Sequence, residues 1–166
     1  MRGFTFIETL VTISILLILT SILVVYNRGG EKQIILTREK AKIIGLILKA
    51  KSQAINTLIT SDPICGYGVH FEEKQYFLFQ DRASNCAVSD HRYTQNDEQE
   101  LLDIFKLPVT YRFSQLELAD IFFMPPDPIV FLDGQRQTGE RLIEISAADN
   151  DSRVNIKING AGQISG

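Results

Sequence analysis

Between Phe4 and Tyr26 the chain carries a single formal charge in 23 positions, the carboxylate of Glu8. Every other residue there is apolar or bears a small hydroxyl: Thr5, Thr9, Thr12, Ser14, Thr20 and Ser21. An α-helix rises about 1.5 Å per residue, so the run reaches roughly 35 Å, enough to cross a hydrocarbon core of about 30 Å. A secretory signal differs: its apolar core is roughly 7–15 residues long and a small-residue cleavage site follows it. Tyr26-Asn27-Arg28-Gly29-Gly30 offers no such site. A carboxylate inside a membrane span costs on the order of 2.5–3.5 kcal/mol unless it is partnered, so Glu8 asks for a function that a plain signal anchor does not supply.

The flanks of Glu8 supply one. Met1-Arg2-Gly3 followed by Phe4-Thr5-Phe6-Ile7-Glu8-Thr9-Leu10-Val11-Thr12-Ile13 resembles the prepilin signal of type IV pilins and type II secretion pseudopilins. The resemblance implies cleavage between Gly3 and Phe4 by a prepilin peptidase, N-methylation of Phe4, and Glu8 as the fifth residue of the mature chain. It implies a leader at 1–3, a transmembrane and filament-core helix at 4–28, and an amphipathic helix plus β-rich head at 29–166. The implied partners are the peptidase, other pilin or pseudopilin subunits in a helical filament, an inner-membrane assembly platform and the membrane itself. The implied location is a single pass of the cytoplasmic membrane with the head outside, then a pilus or pseudopilus. Charge alone sets orientation weakly, because Arg2 precedes the span while Arg28 and Lys32 follow it.

Physical chemistry gives Glu8 a partner if that cut occurs. The freed Phe4 amine is cationic, and opposite charges attract strongly where the dielectric is low. Within one helix the two groups are four residues apart. Between staggered helices, Glu8 of one subunit can meet the amine of its neighbour and set the axial register of a filament. No cofactor is expected, and the resemblance makes the chain a substrate of processing and not a catalyst.

The remainder suits one modest domain. Setting aside Arg2, Arg28 and Glu8 leaves 15 basic and 19 acidic residues from Glu31 onward, an acidic balance that argues against nucleic acid as a partner. From Glu31 to about Thr60 there is no Pro, and Ile44, Ile47, Leu48, Ile55 and Leu58, with Ile34, Ala41 and Ala54 nearby, recur at helical spacing. Gly29-Gly30 interrupts this long helix, either as a break between two helices or as a joint that lets the span tilt. Ser61-Asp62-Pro63 should end it. Tyr67–Phe71 and Gln75–Phe79 flank Glu72-Glu73-Lys74 and read as a hairpin. Gln80 to about Asn96 reads as a polar loop and Asp97–Phe105 as a short helix. Val109–Phe113, Ile129–Leu132, Leu142–Ala147, Val154–Ile158 and Gln163-Ile164 read as further strands. A long N-terminal helix followed by mostly antiparallel sheet is α+β.

That order is similar to the pilin fold, a long N-terminal helix packed on an antiparallel head. The segment Arg153–Ile164 and Gly66-Tyr67-Gly68-Val69 are similar to head motifs of H-type minor pseudopilins. Cys65 and Cys86 bracket the hairpin, and an extracytoplasmic head permits a disulfide between them; two unpaired buried thiols are the other reading. His70 reads as a half-buried strand residue, and His91, between Asp90 and Arg92, as a solvated one. Asp149-Asn150-Asp151 offers carboxylates to Ca²⁺ but lacks the rest of a calcium-loop spacing, so it reads as a turn and no metal is expected. Two other functions remain open: a DNA-uptake minor pilin using Arg136, Arg141, Arg153 and Lys157, against which Glu140, Glu144, Asp149 and Asp151 are interspersed, and a non-polymerising membrane-anchored domain.

Overall fold

A computed structural model describes residues 5–57, 64–94, 101–149 and 152–166, excluding the side chains of 24–29, 115 and 116. One helix, α1 (Phe6–Ile55), precedes nine strands. By its contacts the chain forms two units, Met1–Ile35 and Leu36–Gly166. In the first unit, Phe6–Leu23 is long and apolar enough to cross a membrane, and none of it is buried within the chain. Backbone helicity continues through Gly29 and Gly30, so no break between two helices occurs there. A side chain at Gly30 would meet nothing within 4 Å.

The second unit is α+β. Its part of α1 buries Leu36, Ile43, Leu46, Ile47, Ala50 and Ala54. That stripe is rotated from the expected one: Ile34, Leu48 and Ile55 are exposed and Ile43 replaces Ile44. The alanines explain the shift. They contribute little to a hydropathy pattern, yet their small size lets a helix approach a sheet closely. α1 also ends sooner than expected. Asn56 Nδ2 donates to Ser52 O at 2.8 Å and Thr57 Oγ1 to Gln53 O at 2.8 Å, so side chains satisfy the last-turn carbonyls before Pro63 is reached. Ser61–Pro63 lies outside the described residues.

The strands form two sheets, every pair antiparallel. The first has the order β3-β2-β1-β5-β6, with β1 (Ile64–Phe71), β2 (Gln75–Arg82), β3 (Leu101–Lys106), β5 (Asp120–Met124) and β6 (Ile129–Leu132). The second has the order β4-β7-β8-β9, with β4 (Tyr111–Leu116), β7 (Glu140–Ala147), β8 (Arg153–Asn159) and β9 (Ile164–Ser165). The expected hairpin is β1–β2. The short helix expected over Asp97–Phe105 is not found in its described part, which is the edge strand β3. Sheet pairing overrides local propensity there: Phe105 pairs with Tyr76 in register and their rings stack at 5.4 Å, while Asp103 Oδ2 binds Lys49 Nζ of α1 at 2.9 Å.

Pleating divides the five-stranded sheet. Val69, Phe71, Tyr76, Leu78, Ile121 and Phe123 fall on one face and are buried. Gly66, Gly68, His70, Phe77, Phe79 and Phe122 fall on the other. Gly68 is needed there, because a Cβ at that position would stand 2.5 Å from the Phe79 ring and 2.7 Å from Ile121 O.

Candidate functional site

Glu8 begins the apolar helix and is exposed. Thr5 precedes it with the Thr-x-x-Glu spacing of a capping box, and one half of that box forms: Thr5 N donates to Glu8 Oε2 at 3.5 Å, a long contact. The helix dipole favours a carboxylate at this end. The hydroxyls that follow are all turned inward to the helix's own carbonyls. Thr9 donates to Phe6 O (2.8 Å), Thr12 to Thr9 O (2.9 Å), Ser14 to Leu10 O (2.9 Å), Thr20 to Leu16 O (2.6 Å) and Ser21 to Ile18 O (2.8 Å). Glu8 is the one charged side chain of Phe6–Leu23, held to the helix by the long contact to Thr5 N. Gly3 and Phe4, the expected processing site, lie outside the described residues.

Cys65 and Cys86 are joined by a disulfide. It ties β1 to a 3₁₀ turn at Cys86–Val88, which Asn85 caps by accepting from Ala87 N at 3.0 Å. The chain beyond that turn lies along the second face of the five-stranded sheet. Tyr93 packs on His70, Phe77 and Phe79 with ring centroids 5.1–5.8 Å apart.

The loop brings in a residue the sequence misplaces. His91 is buried, not solvated: its ring stacks on Phe122 at 5.1 Å and tilts on Phe131 at 4.2 Å. Its charged sequence neighbours suggested a wet loop, but φ of 56° turns the residue inward. Its Nδ1 lies 3.5 Å from Asp81 Oδ2 without making a hydrogen bond, and Ser89 Oγ donates to the same carboxylate oxygen. His70 is a half-buried strand residue whose Nδ1 sits 2.8 Å from Asp120 Oδ1. Asp120 Oδ1 also accepts from Tyr93 N at 3.3 Å. These groups knit the loop to the sheet. Ser89 Oγ, the aliphatic hydroxyl nearest His91 in sequence, is committed to Asp81.

Three of the four basic residues considered for DNA have local acidic or amide partners. Arg141 donates twice to Gln137 Oε1 (2.9 and 2.6 Å), Arg153 lies 3.8 Å from Glu144, and Lys157 3.9 Å from Glu140. Asn150 and Asp151 of the calcium candidate lie outside the described residues. Among the described residues no three His, Cys, Asp or Glu groups are placed to hold a metal. A cavity of about 230 Å³ opens beside β3, lined by Lys42, Gly45, Leu46, Lys49, Tyr76 and Phe105. Its lysines are already paired, Lys42 with Glu39 at 2.6 Å and Lys49 with Asp103.

Compared with protein-family models, curated proteins and solved structures, the chain matches none.

Proposed function

We propose that this chain is a structural subunit, a pilin or minor pseudopilin, of a type IV pilus or a type II secretion pseudopilus. One observation carries the reading: an unburied apolar helix whose hydroxyls are all satisfied internally, with the exposed carboxylate of Glu8 as its one charge. An α+β head following that helix supports it. In this reading prepilin peptidase cuts between Gly3 and Phe4 and exposes a cationic amine. The helix then leaves the bilayer through an assembly platform and packs among related helices. Van der Waals packing among those helices supplies cohesion, and Glu8 pairs with an amine to set register.

Intact-mass and N-terminal analysis of protein recovered from its native membrane or from sheared surface filaments tests this. A chain starting at N-methylated Phe4 is expected. A chain still starting at Met1 beside an active peptidase would replace this reading with a membrane-anchored domain that never polymerises. A second arm uses Glu8→Gln, which should leave membrane insertion intact and reduce incorporation into filaments. Normal incorporation would remove Glu8 from the assembly mechanism.

A further inference from the structure

The outward face of the four-stranded sheet holds polar groups that the fold buries and leaves without partners. Arg112 on β4 pairs in register with Ser146 on β7, and Ser146 with Arg153 on β8. Directly opposed residues project from the same face, so the three side chains form one row across three strands. Tyr111, Phe113, Ile145, Ala147 and Ile156 take the opposite, buried face. Strands lie about 4.8 Å apart, so the two arginine stems stand roughly 10 Å apart with the serine midway. Ser146 is fully buried, and neither its Oγ nor the buried Nε of Arg112 has a hydrogen-bond partner among the described residues. Such orphaned groups are costly to bury, a charged donor most of all, so two side by side point to a missing acceptor.

The surroundings define that acceptor. Glu144, one step along β7 on the same face, accepts from Ser114 Oγ at 2.5 Å and lies 3.8 Å from Arg153 Nη1. Glu144 thus answers Arg153 and leaves the Arg112 guanidinium without an ion pair among the described residues. Glu140 and Lys157, farther along, pair with each other at 3.9 Å. A polyanion such as nucleic acid gains affinity from many phosphate contacts, and Glu140 and Glu144 oppose it here. A single group of charge minus one meets no such opposition.

We propose that Arg112, Ser146 and Arg153 form a binding site for one monoanionic oxyanion, a carboxylate. Guanidinium forks match its two coplanar oxygens, and the Ser146 hydroxyl adds a neutral donor between them. The carboxylate comes either from a small molecule or from an acidic side chain of a second copy. This inference rests on the head alone and stands whether or not the chain polymerises.

The test is a nuclear magnetic resonance titration of the full chain in zwitterionic detergent. The Nε–H signals of Arg112 and Arg153 and the amide of Ser146 are followed as acetate replaces chloride at constant ionic strength, with sulfate as the dianion control. Saturable shifts with acetate are expected. Arg112→Gln and Arg153→Gln should each weaken binding by about tenfold, and Ser146→Ala by a smaller factor. Glu144→Gln should tighten it. No saturation, an equal response to chloride, tighter binding of sulfate, or an unchanged affinity in both arginine variants would overturn the proposal. A dilution series without acetate separates the two sources. Signals that leave the bound position on dilution identify a second copy's carboxylate, and signals that stay free until acetate is added identify a small molecule.

Discussion

Tyr76 carries a phenol into the interior beside a carboxylate. Burial, and secondarily the charge of Glu39, push its pKa from 10 up to about 12. Glu39 is itself buried, with Oε1 bound to Lys42 and Oε2 without a partner among the described residues. The fold therefore holds the phenol neutral where the unfolded chain would ionise it. Its contribution is complete below pH 10 and is lost as pH rises towards 12, by at most on the order of 2 kcal/mol. Urea unfolding at increasing alkalinity checks this: Tyr76→Phe should lose less stability across that window than the parent chain. An identical loss would place the alkaline sensitivity elsewhere. Residue roles differed in how visible they were. Glu8 stood out because one charge in an apolar run needs no structure to notice. Arg112, Ser146 and Arg153 did not, because register alone makes neighbours of residues on three strands.

Elements show the same division. α1, the β1–β2 hairpin and strands β6, β7 and β8 follow from period and turn residues. β5 does not: Ile121-Phe122-Phe123 has no alternation to read, because both faces of that strand are covered, one within the core and the other by the loop carrying His91. β3 reads in the sequence as part of a short helix, and only pairing with the edge of β2 makes it a strand. Inside α1, Gly30 is helical with open space around it. Gly30→Ala should raise the helix's own stability by about 1 kcal/mol, read as slower amide exchange around that position in detergent. If the glycine also serves as a joint, the same variant will assemble less well while inserting normally. Unchanged assembly would leave it as a neutral interruption.

At the scale of the whole molecule, the Cys65–Cys86 bridge fixes the start of the loop that closes the second sheet face. Closing a 21-residue separation stabilises by about 3 kcal/mol in the chain-entropy model. Replacing both cysteines with serine should lower the unfolding midpoint accordingly and loosen Tyr93 and His91, read as loss of their ring-current shifts on Phe79 and Phe131. Thiol titration in denaturant without reductant should find no free thiol; two per chain would reject the bridge. The first unit obeys another rule. Since none of Phe6–Leu23 is buried within the chain, a screen that scores variants by how well the head stays folded is blind to those positions. Whatever substitutions they tolerate will be dictated from outside, by lipid or by neighbouring chains. The pattern of tolerated changes along that segment is therefore an imprint of its surroundings, and it can be collected before any of those neighbours has been isolated.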